Sequence, residues 1–123
     1  MTALNTVDSS GWLEYFADTA RAKLFAPAIE DTGHLIVPVL TVYEVFKKFL
    51  RERSEADALQ AVSAMRSGHI VDLDVSLALE GAQFDLPLAD SLIYATARRH
   101  GAVLWTQDED FAGLTGVRYF PKK

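Results

Sequence analysis

The sequence contains no cysteine among its 123 residues, which excludes disulfide bonds, thiol nucleophiles and cysteine metal ligands. A reducing cytoplasm is therefore the expected location. No apolar run reaches the ~20 residues that a membrane helix requires, and the N-terminus lacks the basic segment and apolar core of a secretory signal. The sequence thus predicts a soluble cytoplasmic protein with no membrane partner.

Other familiar catalytic motifs are missing as well. Gly11 and Gly33 stand alone rather than in a glycine-rich phosphate loop, so a nucleotide cofactor is not expected. Ser9 and Ser10 have no histidine partner at a recognisable position, which argues against a serine hydrolase. The three histidines are far apart in the sequence and are expected at the surface or at helix ends.

The chain also lacks a net positive charge, since its formal charge is −5 at pH 7. An acidic chain is by itself a poor candidate for nucleic-acid binding. If four of the acids line a metal site, however, the remaining surface is close to neutral. Basic residues are moreover grouped, at Lys47, Lys48, Arg51 and Arg53 and again at Arg98 and Arg99. Composition therefore leaves a nucleic-acid partner open.

What the sequence does contain is an alternation of apolar strands with amphipathic helices. Strands are predicted at 4–7, 35–40 (with Pro38 marking its end), 102–105 and 117–120, and 70–73 is predicted as a short strand or a connector. Helices are predicted at 12–17, 21–29 (disturbed by Pro27), about 41–50, 55–65 (capped by Ser54), 75–83 and 88–99 (stopped by Gly101). This order predicts an α/β fold with a mostly parallel sheet, and the length suits one domain.

Four acids fall where a predicted strand gives way to a helix or loop: Asp8, Glu44, Asp90 and Asp108. Asp8 follows the first strand, and Asp108 comes three residues after the strand that ends at Trp105. Glu44 and Asp90 are predicted in the first turns of their helices. In open α/β sheets, ligands bind at the carboxyl edge of the strands. One topology would therefore bring all four acids to one edge.

Four carboxylates at one edge would repel each other strongly. A like-charged pair at ~4 Å costs about 4 kcal/mol at an effective dielectric constant near 20. The cluster would therefore take up protons or bind a cation. Oxygen ligands without cysteine or histidine select hard ions such as Mg²⁺ or Mn²⁺. Metal-assisted hydrolysis of a phosphodiester is the chemistry that such a site suits best.

Each acid also has a purely structural interpretation. Thr41 and Glu44 have the spacing of a capping box, and Glu44 can pair with Lys48 one turn later. Asp90 would be favourable near the positive end of a helix dipole, and Asp8 can serve as an ordinary turn or cap residue. The acidic DED run can be a solvated loop. These alternatives remain open for each residue alone.

The chain resembles the PIN-domain proteins, and within them the VapC-type toxin ribonucleases of type II toxin–antitoxin systems. The resemblance rests on VDSSGW, TVYEVFKK, LPLADSLIYATAR and WTQDEDF, which occur in this order across nearly the whole chain. It implies a three-layer α/β/α sandwich with a mostly parallel central sheet, as a single nuclease domain of residues 1–123. It also implies Mg²⁺- or Mn²⁺-dependent endonucleolytic cleavage of RNA, with tRNA or rRNA as the expected substrate.

The resemblance assigns roles to individual residues. The acidic quartet of the family corresponds to Asp8, Glu44, Asp90 and Asp108, with Asp110 as a further candidate ligand. Thr106 would be a supporting ligand or water-positioning group. Apart from the resemblance, a nuclease would need basic contacts to flanking phosphates, and the candidates are Lys47, Lys48, Arg51, Arg98 and Arg99, with solvated helix faces as the alternative interpretation. Homodimerisation and neutralisation by a cognate VapB-type antitoxin are expected.

Two features depart from the family pattern, and two other functions remain as alternatives. The segment 81–90 is short, which could alter how Asp90 is presented, and the first strand is less apolar than usual.

A receiver-like signalling module would need adjacent acids after the first strand and a lysine after a late strand, and this sequence lacks both. A non-catalytic metal-binding interaction module would keep partner binding without cleavage.

Overall fold

The computed structural model of the protein describes residues 3–122. Its strands are β1 (Asn5–Val7), β2 (Ile36–Pro38), β3 (His69–Val71), β4 (Val103–Thr106) and β5 (Val117–Tyr119). Its helices are α1 (Ser9–Phe16), α2 (Ala22–Glu30), α3 (Val39–Glu52), α4 (Glu55–Met65), α5 (Val75–Gly81) and α6 (Leu88–Arg99). Short 3₁₀ turns lie at Thr32–His34 and Glu109–Phe111. None of the helices within residues 3–122 combines the length and apolarity needed to cross a bilayer.

The strands pair in parallel throughout the described part of the chain. β1, β4 and β5 form one sheet in the order β1-β4-β5, and β2 pairs with β3. A parallel bridge between Asn5 and Leu35 joins the two groups. The strands therefore run in the order β3-β2-β1-β4-β5, which confirms the predicted parallel sheet and places β1 at its centre.

Helices cover both faces of this sheet because successive strand residues point to opposite sides. Val37 and Trp105 belong to a core that the sheet shares with α1 to α4. Their strand neighbours Ile36 and Leu104 belong to a second core, shared with α6. The predicted three-layer α/β/α arrangement is confirmed.

Polar residues in β1 do not prevent it from occupying the centre of the sheet. Asn5 Oδ1 accepts a hydrogen bond of 2.9 Å from Trp105 Nε1 on the neighbouring strand. Val7 is completely buried. The strand is thus held by a side-chain hydrogen bond as well as by its backbone ladder, which compensates for its modest apolar content.

The predicted ends of two helices are confirmed. Ser54 begins α4, and its Oγ accepts a hydrogen bond of 3.1 Å from the backbone N–H of Asp57. Gly101 follows the C-cap of α6 with φ of +64°. This left-handed conformation favours glycine, so Gly101 ends the helix as expected.

The boundary between β2 and α3 differs from the prediction. The strand ends at Pro38, and Val39 and Leu40 already belong to the first turn of α3. A continuous apolar run does not distinguish a buried strand from a buried helix start, which is why the predicted strand was too long. Pro38, not Thr41, is the N-cap of α3. The capping-box interpretation is therefore wrong, and Glu44 lies in the second turn rather than the first.

Pro27 disturbs α2 less than predicted, because the helix continues through it to Glu30. Proline removes one backbone donor from a helix. Pro27 lies on the exposed side of α2, while Phe25, Ala28 and Ile29 are buried. The packing of the buried face thus maintains the helix despite the missing hydrogen bond.

Gly11 lies at the tightest contact between α1 and the core, and its replacement tests this packing. A Cβ atom at Gly11 would come within 2.6 Å of Val7 Cγ1 and 2.7 Å of Phe25 Cδ1. Gly11→Ala is expected to reduce the free energy of unfolding by about 1–3 kcal/mol, as overpacking does. Thermal and denaturant unfolding followed by circular dichroism measures this effect.

Gly33→Ala is the matched control, because no atom lies within 4 Å of a Cβ built there. It is expected to change the stability by less than ~1 kcal/mol. Equal stabilities of the two variants would contradict the proposed close contact at Gly11.

Candidate active site

The structure brings acidic side chains from four different elements to the carboxyl edge of the sheet. Asp8 directly follows β1, and Asp108 lies two residues after β4. Asp90 is the third residue of α6, and Glu44 is the sixth residue of α3. The carboxylates of Asp90, Asp108 and Asp110 each offer an oxygen within 4.8 Å of the others.

Asp8 is a helix cap and a member of this acidic site at once. It is only 4% exposed. Its Oδ1 accepts hydrogen bonds from the backbone N–H of Gly11 at 3.0 Å and from Ser10 Oγ at 3.1 Å. Its Oδ2 accepts a hydrogen bond of 2.6 Å from Thr106 Oγ1. The structural interpretation of Asp8 as a cap is therefore correct, and it coexists with the position at the site.

Thr106 links the two strand ends that carry the acids. While its hydroxyl donates to Asp8, the same oxygen accepts a hydrogen bond of 2.9 Å from the backbone N–H of Asp108. Thr106 is completely buried, so this link is shielded from water. The structure thus places Thr106 as a bridge between Asp8 and the turn that holds Asp108.

The acidic DED run forms a tight turn rather than an open loop. Asp108 Oδ1 accepts a hydrogen bond of 3.0 Å from the backbone N–H of Asp110, and Asp108 is the N-cap of the 3₁₀ turn. Asp110 and Glu109 are exposed, whereas Asp108 is partly buried. Asp108 is therefore fixed in orientation, while Glu109 lies outside the group of clustered carboxylates.

Glu44 is oriented by a serine that the sequence analysis considered only as a nucleophile. Ser9 Oγ donates a hydrogen bond to Glu44 Oε1. Lys48, the alternative partner of Glu44, instead lies 2.8 Å from Glu52. Two hydroxyl groups directly after Asp8 are a local signal of such a role, but the choice of Glu44 as partner depends on the tertiary fold.

A second group of residues missed by the sequence analysis holds the end of β4. Arg21 Nε donates to Gln107 Oε1 at 2.6 Å, and Gln107 Nε2 donates to Glu14 Oε2 at 2.8 Å. Arg21 Nη2 also donates to the carbonyl oxygen of Phe120 at 2.9 Å. These contacts fix the residue between Thr106 and Asp108. No local pattern indicates a contact between residues 86 positions apart.

The candidate RNA contacts occupy two different places. Arg98 and Arg99 end α6, and Asp90 starts it, which separates their backbones by about 12 Å along the helix axis. Arg99 forms ion pairs of 3.2 Å with Asp74 and 3.4 Å with Glu80. The structure therefore places these two arginines at the opposite end of α6 from the acids.

The other three candidates are on α3, the helix that also carries Glu44. Lys47, Lys48 and Arg51 are all exposed. The Lys47 ammonium lies 5.5 Å from the centre of the Tyr43 ring. These three side chains lie on the same element as one member of the acidic site, so α3 is the better candidate for contacts with flanking phosphates.

Burial and mutual repulsion keep two of the acids from ionising normally. Burial raises the pKa of Asp8 to about 6, although hydrogen bonds from Thr106, Gly11 and Ser10 act in the opposite direction. Burial also raises the pKa of Asp90 to about 7. The negative charges that add to the shift at Asp90 are those of Asp108, Glu44, Asp8 and Asp110.

These properties fit a hard divalent cation. The donors are carboxylate oxygens, three of which come within 4.8 Å of one another. No lysine or arginine within residues 3–122 forms an ion pair with any of the clustered acids. Burial raises the pKa values of Asp8 and Asp90, and at Asp90 the neighbouring carboxylates add to the shift, so the charged forms of both are disfavoured in the absence of a cation. Oxygen donors of this kind suit Mg²⁺ or Mn²⁺.

Comparison with known proteins identifies a family for this arrangement. A family model described as the PIN domain matches residues 6–116. No curated protein sequence is significantly similar to the chain.

Several solved structures have the same fold. A toxin–antitoxin complex from Klebsiella pneumoniae contains a chain that is 24% identical, with a TM-score of 0.77, and the match covers 93% of this chain and 95% of that one. VapBC2 from Rickettsia felis, bound to a promoter DNA fragment, gives 8% identity and a TM-score of 0.74 over 96% and 99% of the two chains. VapC20 from Mycobacterium tuberculosis, a toxin that cleaves the sarcin-ricin loop, is 18% identical with a TM-score of 0.74, and the match covers 94% of this chain and 98% of that one.

The raised pKa values predict how stability depends on pH when divalent ions are removed. In the unfolded chain both carboxyl groups have ordinary pKa values near 4, whereas in the folded protein those of Asp8 and Asp90 are about 6 and about 7. The folded state therefore binds more protons between these values. The stability that these two groups contribute is fully present below pH 4 and is lost as the pH rises towards 7.

Denaturant unfolding in EDTA at pH 5, 6, 7 and 8 tests this expectation. The free energy of unfolding of the wild type should fall by on the order of 1–3 kcal/mol across this range. Asp90→Asn should be more stable than the wild type at pH 8, and its free energy of unfolding should change less between pH 5 and pH 8. Glu109→Gln, at an exposed acid outside the cluster, is the matched control. A wild type that gains stability from pH 5 to pH 8, with no difference for Asp90→Asn, would contradict the prediction.

Proposed function

The chain belongs to the PIN-domain family, and on that premise we propose that it is a divalent-metal-dependent endoribonuclease that acts as the toxin of a toxin–antitoxin pair. The observation that carries the proposal is the convergence of Asp90, Asp108 and Asp110 beside the buried Asp8. Such a site has the donor set for a hard cation and an open edge for a phosphodiester. We propose tRNA or rRNA as its substrate.

The proposed roles follow from the contacts of each acid. Asp8, Asp90 and Asp108 hold the divalent ion, Mg²⁺ or Mn²⁺, with Asp110 as a further ligand. A bound divalent cation lowers the pKa of a coordinated water and offsets charge on the scissile phosphate. Thr106 supports the site because it donates to Asp8 and accepts from the Asp108 backbone.

Glu44 is proposed to orient the attacking water. Its carboxylate is held by Ser9 Oγ through one oxygen, which leaves the other oxygen available to accept a hydrogen bond. A general base must lie within hydrogen-bond reach of the proton it removes. Ser9 restricts the rotamer of Glu44 and thereby keeps this second oxygen at a defined position on the site.

Binding of RNA requires that the negative charge of the site be neutralised. The acids repel a phosphate unless a cation is present, which makes substrate binding depend on the same ion as the chemistry. Exposed Lys47, Lys48 and Arg51 on α3 are proposed to contact flanking phosphates. Such contacts make the affinity decrease as the salt concentration rises.

Similar folds in toxin–antitoxin complexes support a protein partner. We propose that this chain forms a homodimer and is neutralised by a VapB-type antitoxin. The clustered acids have no basic partner within residues 3–122, so a basic side chain from an antitoxin would form charge-assisted hydrogen bonds with them. The cytoplasm, where such an RNA and such an antitoxin are found together, is the proposed location.

Cleavage assays on purified tRNA and rRNA test the proposal. The antitoxin-free protein is incubated with each RNA in Mg²⁺, in Mn²⁺ and in EDTA, and the products are separated by gel electrophoresis. Discrete products are expected with either ion and none in EDTA. Asp90→Asn and Asp108→Asn are each expected to reduce the rate roughly 100-fold or more, the scale of losing one group that stabilises transition-state charge.

Glu55→Gln is the matched control, since it removes an exposed acid in the first turn of α4, outside the cluster, and it should retain activity. Circular dichroism establishes that each variant is folded. A folded wild type that binds Mn²⁺ but cleaves neither RNA under any of these conditions would favour a non-catalytic, metal-binding interaction module instead.

A further inference from the structure

A cleft of about 460 Å³ adjoins the acidic site, within the ~300–1,000 Å³ range of pockets that hold small ligands. Its lining consists of Ser10, Gln107, Asp108, Glu109, Tyr119 and Lys122. Asp108 belongs both to this cleft and to the group of clustered carboxylates. A ligand that reaches from one to the other therefore passes directly over Asp108.

Tyr119 faces the same side of the sheet as the acidic site. In the parallel ladder it is paired with Thr106, and paired residues of neighbouring strands point to the same face. Thr106 uses its hydroxyl on that face to contact Asp8. The Tyr119 side chain is partly exposed and lines the cleft, so part of its surface is accessible to a ligand there.

Lys122 supplies a positive charge to a wall that otherwise carries Asp108 and Glu109. It is exposed, and it forms no ion pair with any residue in the range 3–122. Side-chain hydrogen bonds lower the pKa of Glu14, and the Lys122 charge adds to this shift. An ammonium outside any ion pair and an aromatic ring in the wall of one cleft are the combination that binds single-stranded nucleic acid, in which bases stack and phosphates are neutralised.

The cleft is held in shape by partly buried hydrogen bonds. Gln107 is only 4% exposed, and its amide is held by Arg21 on one side and Glu14 on the other. Arg21 also binds the carbonyl oxygen of Phe120, between Tyr119 and Lys122. One guanidinium group thus fixes the end of β4 relative to the segment that carries the aromatic and basic side chains. Preorganisation of this kind lowers the entropic cost of binding.

We infer that this cleft is a nucleotide subsite, which binds an unpaired ribonucleotide next to the phosphate held at the acidic site. The base stacks on Tyr119, and Lys122 contacts the phosphate on its far side. This inference rests on the proposed function, since it assumes that the strand in the cleft is the RNA to be cut. An unpaired base is required because the ring can stack only on a base whose face is free.

Binding of a fluorescein-labelled oligouridylate, followed by fluorescence anisotropy, tests the subsite. The measurement uses the full chain carrying Glu44→Gln, in Mg²⁺, so that the proposed ligands Asp8, Asp90 and Asp108 are retained while loss of the proposed water-orienting carboxylate slows cleavage. Adding Tyr119→Ala is expected to weaken binding about 10-fold, the effect of removing one stacking ring. Tyr119→Phe keeps the ring and should bind within about 2-fold of the parent. Tyr119→Leu keeps an apolar side chain of similar size but has no ring, and it should bind the oligouridylate as weakly as Tyr119→Ala. This comparison separates the loss of stacking from a loss of packing in the folded protein.

Lys122→Ala should weaken binding several-fold and reduce the slope of log affinity against log salt by about 1. Lys23→Ala removes another exposed lysine, on α2, and is the charge control, for which no change in affinity is expected. Unchanged binding in Tyr119→Ala and Tyr119→Leu, or equal losses for Lys122→Ala and Lys23→Ala, would overturn the subsite. Equal affinity for a fully paired RNA duplex would do so as well.

Steady-state cleavage in the otherwise wild-type chain separates this inference from the proposed function. If Tyr119→Ala raises KM about 10-fold while metal-dependent cleavage persists, the result supports both the nuclease function and the nucleotide subsite. If cleavage persists with KM unchanged, the nuclease stands and the subsite fails. If the wild type does not cleave but oligouridylate binding still depends on Tyr119, the cleft binds RNA and the nuclease assignment fails.

Discussion

Electrostatic repulsion between carboxylates at one edge of a parallel sheet is the constraint around which the rest of this structure is organised. Burial raises the pKa values of Asp8 and Asp90 to about 6 and about 7, and neighbouring carboxylates add to both shifts, so ionisation of these acids is unfavourable in the folded protein. The acids do not hold each other in place. Packing of the two cores and hydrogen bonds from hydroxyl groups hold them there, and the resulting surplus of negative charge is the property on which the proposed cation binding rests.

The groups that hold the acids also hold the fold together. Asp8 caps α1 through Gly11, and Gly11 fits only because it has no side chain where α1 meets Val7. Thr106 connects Asp8 to the backbone of Asp108 across the centre of the sheet. A substitution at any of these positions therefore changes both the stability of the fold and the geometry of the site. For this reason each experiment on function includes a measurement of folding.

Sequence patterns were sufficient for the type and order of the main elements, and two of the four predicted acids, Asp90 and Asp108, lie in the group of clustered carboxylates. Strand and helix periodicities are local properties, and the rule that ligands bind at the carboxyl edge of a parallel sheet converts strand ends into candidate positions. The predicted element boundary was less accurate where an apolar run continues from β2 into α3. Val39 and Leu40 are compatible both with a buried strand and with the start of a buried helix.

The sequence by itself determined that carboxylates would stand at strand ends, since chain order and short-range periodicity fix which residues follow a strand. Only the tertiary structure decided their partners. Ser9 reaches Glu44 across 35 positions, and Arg21 reaches Gln107 across 86. The same holds for the cleft, where Tyr119 stands beside the site because β5 pairs with β4. Such contacts depend on how the sheet and its two helical layers pack, and no local propensity encodes that packing.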